Sequence, residues 1–136
     1  MKKRILVFAL VVCLIVCAVP ANAVEPRWDN TMSIILYQDY YANEGMYCYI
    51  EIVGHYHATS IQNIDIVLSR KVGNSWVVAA SWLDYSSDNN EFICEVVAGH
   101  LGFMEVAGET YRLCVTADVS AGNSVEHVES YYDCEY

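Results

Sequence analysis

The segment from residue 109 to 119 constrains the fold more than any other part of the chain, because its side chains alternate strictly. The period of two is typical of a β-strand with one buried and one exposed face. We therefore predict a central strand here, entered through a turn at residues 106–108. The two faces are Tyr111, Leu113, Val115, Ala117 and Val119 on one side, and Arg112, Cys114, Thr116 and Asp118 on the other.

Six further segments carry the same kind of signal, separated by turn residues such as Gly45 and the Gly73-Asn74 pair. With 109–119 they predict seven short strands and no helix longer than one turn, which we place at 100–105. This pattern favours an all-β fold, an antiparallel immunoglobulin-like β-sandwich of about seven strands. Tyr111, directly after its turn, is similar to the tyrosine corner of such sandwiches. The other predicted strands are 31–38, 46–53, 61–71, 76–83, 91–97 and 124–133.

The first 23 residues predict a secretory signal peptide. Three basic residues follow Met1, an apolar run covers 5–19, and Ala21 and Ala23 are the small residues that a signal peptidase reads. The apolar run is shorter than the roughly 20 residues that a membrane-spanning helix needs. We expect cleavage after Ala23, a single β-sandwich domain at 24–136 and a secreted, extracellular protein.

The mature chain is strongly acidic, with four basic residues against 17 acidic ones and a net charge of −13. This charge repels nucleic acids and anionic membranes, so neither is an expected partner. The solubility of a secreted domain explains the acidity better than an electrostatic function does.

Four cysteines remain after cleavage, and an even number in an exported chain predicts two disulfides. Alternation points Cys48 and Cys94 inward from the second and fifth strands, which are neighbours in an immunoglobulin-like order. This favours Cys48 with Cys94, and hence Cys114 with Cys134. Cys48 with Cys114 is the alternative, although Cys114 lies on the face opposite Leu113.

Short motifs are distributed over the whole mature sequence. They are Arg27-Trp28-Asp29-Asn30-Thr31, Tyr47-Cys48, Ser75-Trp76, Ser81-Trp82 and Tyr111-Arg112-Leu113. In these the chain resembles a family of small secreted immunoglobulin-like β-sandwich proteins of Gram-positive bacteria. No function is known for that family, so the resemblance implies a fold and an exported location and no active-site residue.

Two groups of residues have partial metal-ligand patterns. His55 and His57 would share a face on a strand, with Glu51 nearby, but a third ligand is not evident. A second group has calcium-loop spacing but lacks the glycine at the sixth position and the flanking helices. We therefore predict no metal site and no cofactor. The second group is Asp84, Ser86, Asp88, Asn90 and Glu95.

Eleven tyrosines and three tryptophans offer ring faces to a glycan or a protein. No nucleophile elbow, zinc-protease motif or phosphate-binding glycine loop is present, so we do not expect an enzyme. We expect a secreted, non-catalytic binding module that recognises a cell-surface polymer or an extracellular protein. The alternative is a diffusible effector, either antimicrobial or inhibitory to an extracellular enzyme. The candidate aromatic residues are Tyr40, Tyr41, Tyr47, Tyr49, Tyr131 and Tyr132.

Overall fold

The structure is a computed structural model that describes residues 28–136. The predicted signal peptide at 1–23 lies outside the described residues. Seven strands and one short helix form the described part, and each strand overlaps a predicted one. They are β1 Thr31–Tyr41, β2 Gly45–Gly54, β3 Ser60–Val72, β4 Ser75–Ser87, β5 Glu91–Ala98, α1 Phe103–Val106, β6 Thr110–Ala121 and β7 Ser124–Glu135.

The strands form two antiparallel sheets. One has three strands in the order β1-β2-β5, and the other has four in the order β4-β3-β6-β7. Since β6 has neighbours on both sides, the predicted central position of this segment is confirmed, as is the all-β class with seven strands.

The core lies between the two sheets and is built from alternating side chains. In β2, Cys48, Ile50 and Ile52 are fully buried, and in β6 Leu113 and Ala117 are as well. Isoleucines and a leucine of β3 complete the layer. Burial of each large aliphatic side chain contributes roughly 1.5–3 kcal/mol before the cost of ordering it.

Two polar side chains make hydrogen bonds to the backbone at the end of the sandwich near α1. The Tyr111 hydroxyl donates to the carbonyl oxygen of Glu105 at 3.0 Å, which is the hydrogen bond that a tyrosine corner makes to the backbone upstream. Gln38 of β1 is buried, and its Nε2 donates to the carbonyl oxygens of Tyr111 and Tyr132 in the opposite sheet. Gln38 therefore fixes the edge strand β1 over β6 and β7.

The predicted disulfides are not present, and all four cysteines of the described residues are free. Cys114 is directly opposite Tyr131, whereas Cys134 is opposite the buried Tyr111. Cys114 and Cys134 therefore lie on opposite faces of the four-stranded sheet and cannot bond to each other, so that pairing is wrong.

Cys48 and Cys94 do share the inner face of the three-stranded sheet, as alternation predicted. However, Cys48 is directly opposite Val96, and Cys94 is opposite Ile50. The two cysteines are thus diagonal neighbours. Their Cα atoms in such positions lie roughly 7–8 Å apart, beyond the usual span of a disulfide.

Candidate ligand-binding face

The outer face of the three-stranded sheet carries tyrosines and carboxylates in rows across the strands. Tyr37, Tyr49 and Glu95 are directly opposite one another in β1, β2 and β5. The next row contains Asp39, Tyr47 and Val97. Along β1 the outward-facing residues Tyr37, Asp39 and Tyr41 alternate between aromatic and acidic, and each row across the sheet combines tyrosine with a carboxylate.

These rows enclose an open groove of about 410 Å³. We call it the tyrosine groove. Four tyrosines and three carboxylates form its walls, and they come from all three strands and from the turn between β1 and β2. The lining residues are Tyr37, Tyr41, Tyr47 and Tyr49 with Asp39, Glu44 and Glu95.

Short hydrogen bonds orient two of the rings. The Tyr47 hydroxyl donates to Glu44 Oε2, and the Tyr49 hydroxyl donates to Glu51 Oε2, both at 2.7 Å. Tyr41 packs edge-on against Tyr47, with ring centroids 5.2 Å apart. The hydroxyls of Tyr47 and Tyr49 are therefore already hydrogen-bonded, and the rings of these tyrosines line the open groove.

The negative charge of the face also shows in its tyrosines. The pKa of Tyr47 is raised mainly by its hydrogen bond to Glu44, and the pKa of Tyr49 mainly by its hydrogen bond to Glu51. The pKa values of Tyr37 and Tyr41 are raised mainly by the negative charge of Asp39. These phenols stay neutral as donors and offer their electron-rich faces.

No positive side chain of the described residues belongs to this sheet. The lysine and arginines of residues 28–136 are Arg70, Lys71 and Arg112, and all three are in β3 or β6 of the other sheet. The carboxylates of the tyrosine groove thus have no basic partner within the part of the chain that the structure describes.

The structure divides the predicted aromatic residues among different places. Tyr41, Tyr47 and Tyr49 line the tyrosine groove. Tyr40 instead packs against the core beside Tyr136. Tyr131 and Tyr132 are in β7 of the four-stranded sheet.

Sequence reasoning missed Tyr37, Asp39, Glu44 and the role of Glu95. The available signal was alternation: Tyr37, Asp39 and Tyr41 continue the pattern of the first strand. The predicted strand ended at Gln38 and so left out Asp39 and Tyr41. In the structure, β1 continues to Tyr41.

The outer face of the four-stranded sheet has a different arrangement, in which the cation Arg112 is paired with aromatic rings and a carboxylate. The guanidinium of Arg112 lies 4.2 Å from the centroid of the Trp76 ring and 4.1 Å from that of Tyr131. Its Nε and Nη2 each donate to Asp133 at 2.7 Å. This stack is a stabilising contact between three strands, since its charges and rings satisfy one another.

The four histidines do not come together at one site. His55 and His57 are in the loop after β2 with their rings stacked, centroids 5.7 Å apart. His100 is bound to the carbonyl oxygen of Ala79, and His127 Nδ1 lies 2.8 Å from Asp118 Oδ1. Within residues 28–136, no group of three or more histidine, cysteine or acidic side chains could hold a metal ion.

The residues with calcium-loop spacing are also separated. Asp84 and Ser86 are in β4, whereas Glu95 is in β5 of the other sheet. Of this segment, only residues 88–90 lie between β4 and β5.

No helix of the described part of the chain is long and apolar enough to cross a membrane.

The fold was compared with solved structures, and the sequence with family models and curated proteins. No protein-family model and no curated protein matches the chain. The fold is similar to the crystal structure of Spo0M, a sporulation control protein from Bacillus subtilis, with 14% sequence identity and a TM-score of 0.46. The alignment covers 80% of this chain and 51% of that one, so the chain spans about half the length of Spo0M.

Proposed function

We propose that this protein is a secreted, non-catalytic binding module, and that the tyrosine groove is its ligand-binding surface. The observation that carries the proposal is the set of four tyrosines around one groove, with two of their hydroxyls held by carboxylates at 2.7 Å. Rigid, pre-oriented aromatic rings lose little conformational entropy on binding and provide large contact areas. Its partner is an extracellular protein or glycan.

A non-catalytic role is favoured by the lining of the groove. Only tyrosine, aspartate and glutamate side chains line it. Glu44 and Glu95 are exposed, whereas a carboxylic acid that serves as a general acid usually lies in an apolar pocket.

We also propose an immunoglobulin-like strand order and membership of the exported Gram-positive family described above. Two features support the fold: β1, β2 and β5 form one sheet while β3, β6 and β7 are adjacent in the other, and Tyr111 makes the tyrosine-corner hydrogen bond. In the constant-type immunoglobulin order the fourth strand pairs with the first sheet, but here β4 pairs with β3.

The proposal predicts that insoluble cell-wall or protein-coated particles deplete the protein from solution in a saturable way. Tyr49→Leu, which removes a ring from the centre of the groove, should weaken depletion. Tyr56→Leu is the matched control, because Tyr56 is 93% exposed and lies in the loop after β2. The free protein is measured after sedimentation.

Chelator should leave depletion unchanged, since the groove does not depend on a metal in this proposal. Equal depletion of wild type and Tyr49→Leu would exclude the groove as the binding surface. Absence of depletion by every particle would favour the alternative function, a diffusible effector.

A further inference from the structure

We propose that the tyrosine groove binds a cationic polypeptide, an extended segment rich in lysine or arginine on another extracellular protein. The inference deepens the proposed function and rests on it, because it assigns a ligand class to the same surface. It follows from the charge of the groove, the hydrogen-bonding groups that it offers, and the spacing of its side chains.

The tyrosine groove and the sheet face around it are acidic. Asp39, Glu44 and Glu95 line the groove, and Glu51 and Glu91 lie on the same outer face. A neutral ligand would desolvate these carboxylates without compensating their negative charge, which costs free energy. A cationic ligand compensates the charge as it displaces the water.

The groove offers mainly hydrogen-bond acceptors to a ligand. Carboxylates only accept hydrogen bonds, and the hydroxyls of Tyr47 and Tyr49 already donate to Glu44 and Glu51. Glu95 accepts no hydrogen bond from another described residue. A ligand that supplies donors therefore suits the groove, and ammonium and guanidinium groups are donors only.

The tyrosine rings add a second attraction for the same groups. A cation over the face of a tyrosine ring is attracted to the electron-rich face of the ring. The rings of Tyr37, Tyr41, Tyr47 and Tyr49 line one groove together with the acids. An alkyl ammonium can thus contact a ring face and a carboxylate at once.

Spacing and apolar neighbours favour a polypeptide over a cationic polysaccharide. Along β1, Tyr37, Asp39 and Tyr41 recur at every second residue, or about 6.6–6.8 Å. An extended peptide presents its side chains on one side at the same repeat. Ile35, Ile93 and Val97 are 49%, 55% and 40% exposed on this sheet, and they can cover the methylene stems of lysine or neighbouring apolar side chains.

The experiment uses a fluorescent dodecapeptide of alternating lysine and serine as the probe. The control probe is the same peptide with every lysine acetylated, which removes the charge and keeps the length. Binding to the purified protein is measured by fluorescence anisotropy. We expect saturable binding of the lysine peptide that weakens as salt is added, and at least about tenfold weaker binding of the acetylated peptide.

Variants of the protein locate the binding site. Tyr49→Leu should weaken binding by about two- to fivefold, the effect of one exposed cation–π contact. Glu95→Gln should also weaken it, with Glu135→Gln as the matched charge control because Glu135 is exposed in β7 of the other sheet. Tyr56→Leu again controls for the loss of a tyrosine. Circular dichroism verifies that each variant is folded.

The outcomes separate this inference from the proposed function. Equal binding of both peptides, or equal effects of groove and control variants, would overturn the inference. If a cationic polymer of glucosamine binds through the groove and the lysine peptide does not, the polypeptide assignment is wrong and the binding-module function stands. If Tyr49→Leu alters neither peptide binding nor particle depletion, both proposals fail.

Discussion

At the scale of single residues, Cys48 shows how burial controls the chemistry of a thiol. Its side chain is fully buried in the core of the sandwich. Desolvation raises the pKa of the Cys48 thiol to about 12, so almost no thiolate forms at neutral pH. Since the thiolate is the reactive form of cysteine, Cys48 is a core residue and not a nucleophile.

We expect all four thiols of residues 28–136 to react with a disulfide reagent such as Ellman's reagent in denaturant. In the native protein, one thiol should react far more slowly than the others, and Cys48→Ala should remove that slow phase. Thiols are counted from the absorbance of the released product in a sample cleaved after Ala23. Fewer than four reactive thiols in denaturant would mean that a disulfide exists, contrary to the structure.

For the cysteines, the sequence predicted the direction of the side chains but not whether they form disulfides. Alternation predicted correctly that Cys48 and Cys94 face inward and that Cys114 does not. It could not predict whether they bond, because bonding depends on register between strands. Cys48 faces Val96 rather than Cys94, and no local pattern encodes that offset.

At the scale of elements, the hairpin of β1 and β2 depends on Gly45. This residue has a φ of +108°, a conformation that glycine adopts without steric cost. A Cβ atom here would lie 2.4 Å from the carbonyl oxygen of Ala98, so the end of β5 packs directly on the glycine. The close approach holds together the three strands that form the tyrosine groove.

We expect Gly45→Ala to destabilise the protein by more than about 2 kcal/mol, because the backbone conformation and the clash add. Gly73→Ala is the matched control. Gly73 also has a positive φ, +61°, but nothing lies within 4 Å of the added Cβ, so the loss should be only about 1–2 kcal/mol. Urea denaturation followed by tryptophan fluorescence measures both; equal losses would contradict the packing argument.

Strand ends explain why the tyrosine groove was only partly predicted. Periodicity identified every strand, but β1 is three residues longer than predicted. Those three residues and the pairing of β2 with both β1 and β5 bring Tyr37, Tyr41 and Glu95 into one groove. Sequence alternation assigns a face to each side chain, but it does not assign neighbours across strands.

At the scale of the whole molecule, one carboxylate attaches the start of the sandwich to its last strand. Glu126 of β7 accepts hydrogen bonds from the backbone N–H groups of Asp29, Asn30 and Thr31. Desolvation acts to raise the pKa of Glu126, but these donors outweigh it and leave the pKa below its ordinary value. The charged form of Glu126 is therefore bound more favourably in the folded protein than in the unfolded chain.

This pKa shift predicts loss of stability in acid. The contribution of Glu126 is present above the unfolded pKa, about 4.3, and is lost as the pH falls through the lower folded value. Glu126→Gln should reduce stability at pH 7 by roughly 1–3 kcal/mol and reduce the difference in stability between pH 6 and pH 3. Urea midpoints at several pH values test this.

Glu135→Gln is the control for that experiment, because Glu135 is an exposed acid of the same strand. It should leave both the stability at pH 7 and its dependence on pH close to those of the wild type. If Glu126→Gln behaves like this control, the carboxylate does not attach the first strand.

The sequence by itself determined the all-β class, the number of strands and the face of most side chains. These properties follow from local rules, since successive residues of a strand point to opposite sides and pairs such as Gly73-Asn74 favour turns. The acidity of the chain is likewise a property of composition.

Only the tertiary structure decided which strands are neighbours and in what register. Pairing joins residues far apart in the chain, and its free energy depends on contacts that no short segment contains. That pairing separates the cysteines, divides Asp84 and Glu95 between two sheets, and gathers four tyrosines around one acidic groove. The groove exists because β1, β2 and β5 lie side by side, and this adjacency is the basis of the proposed function.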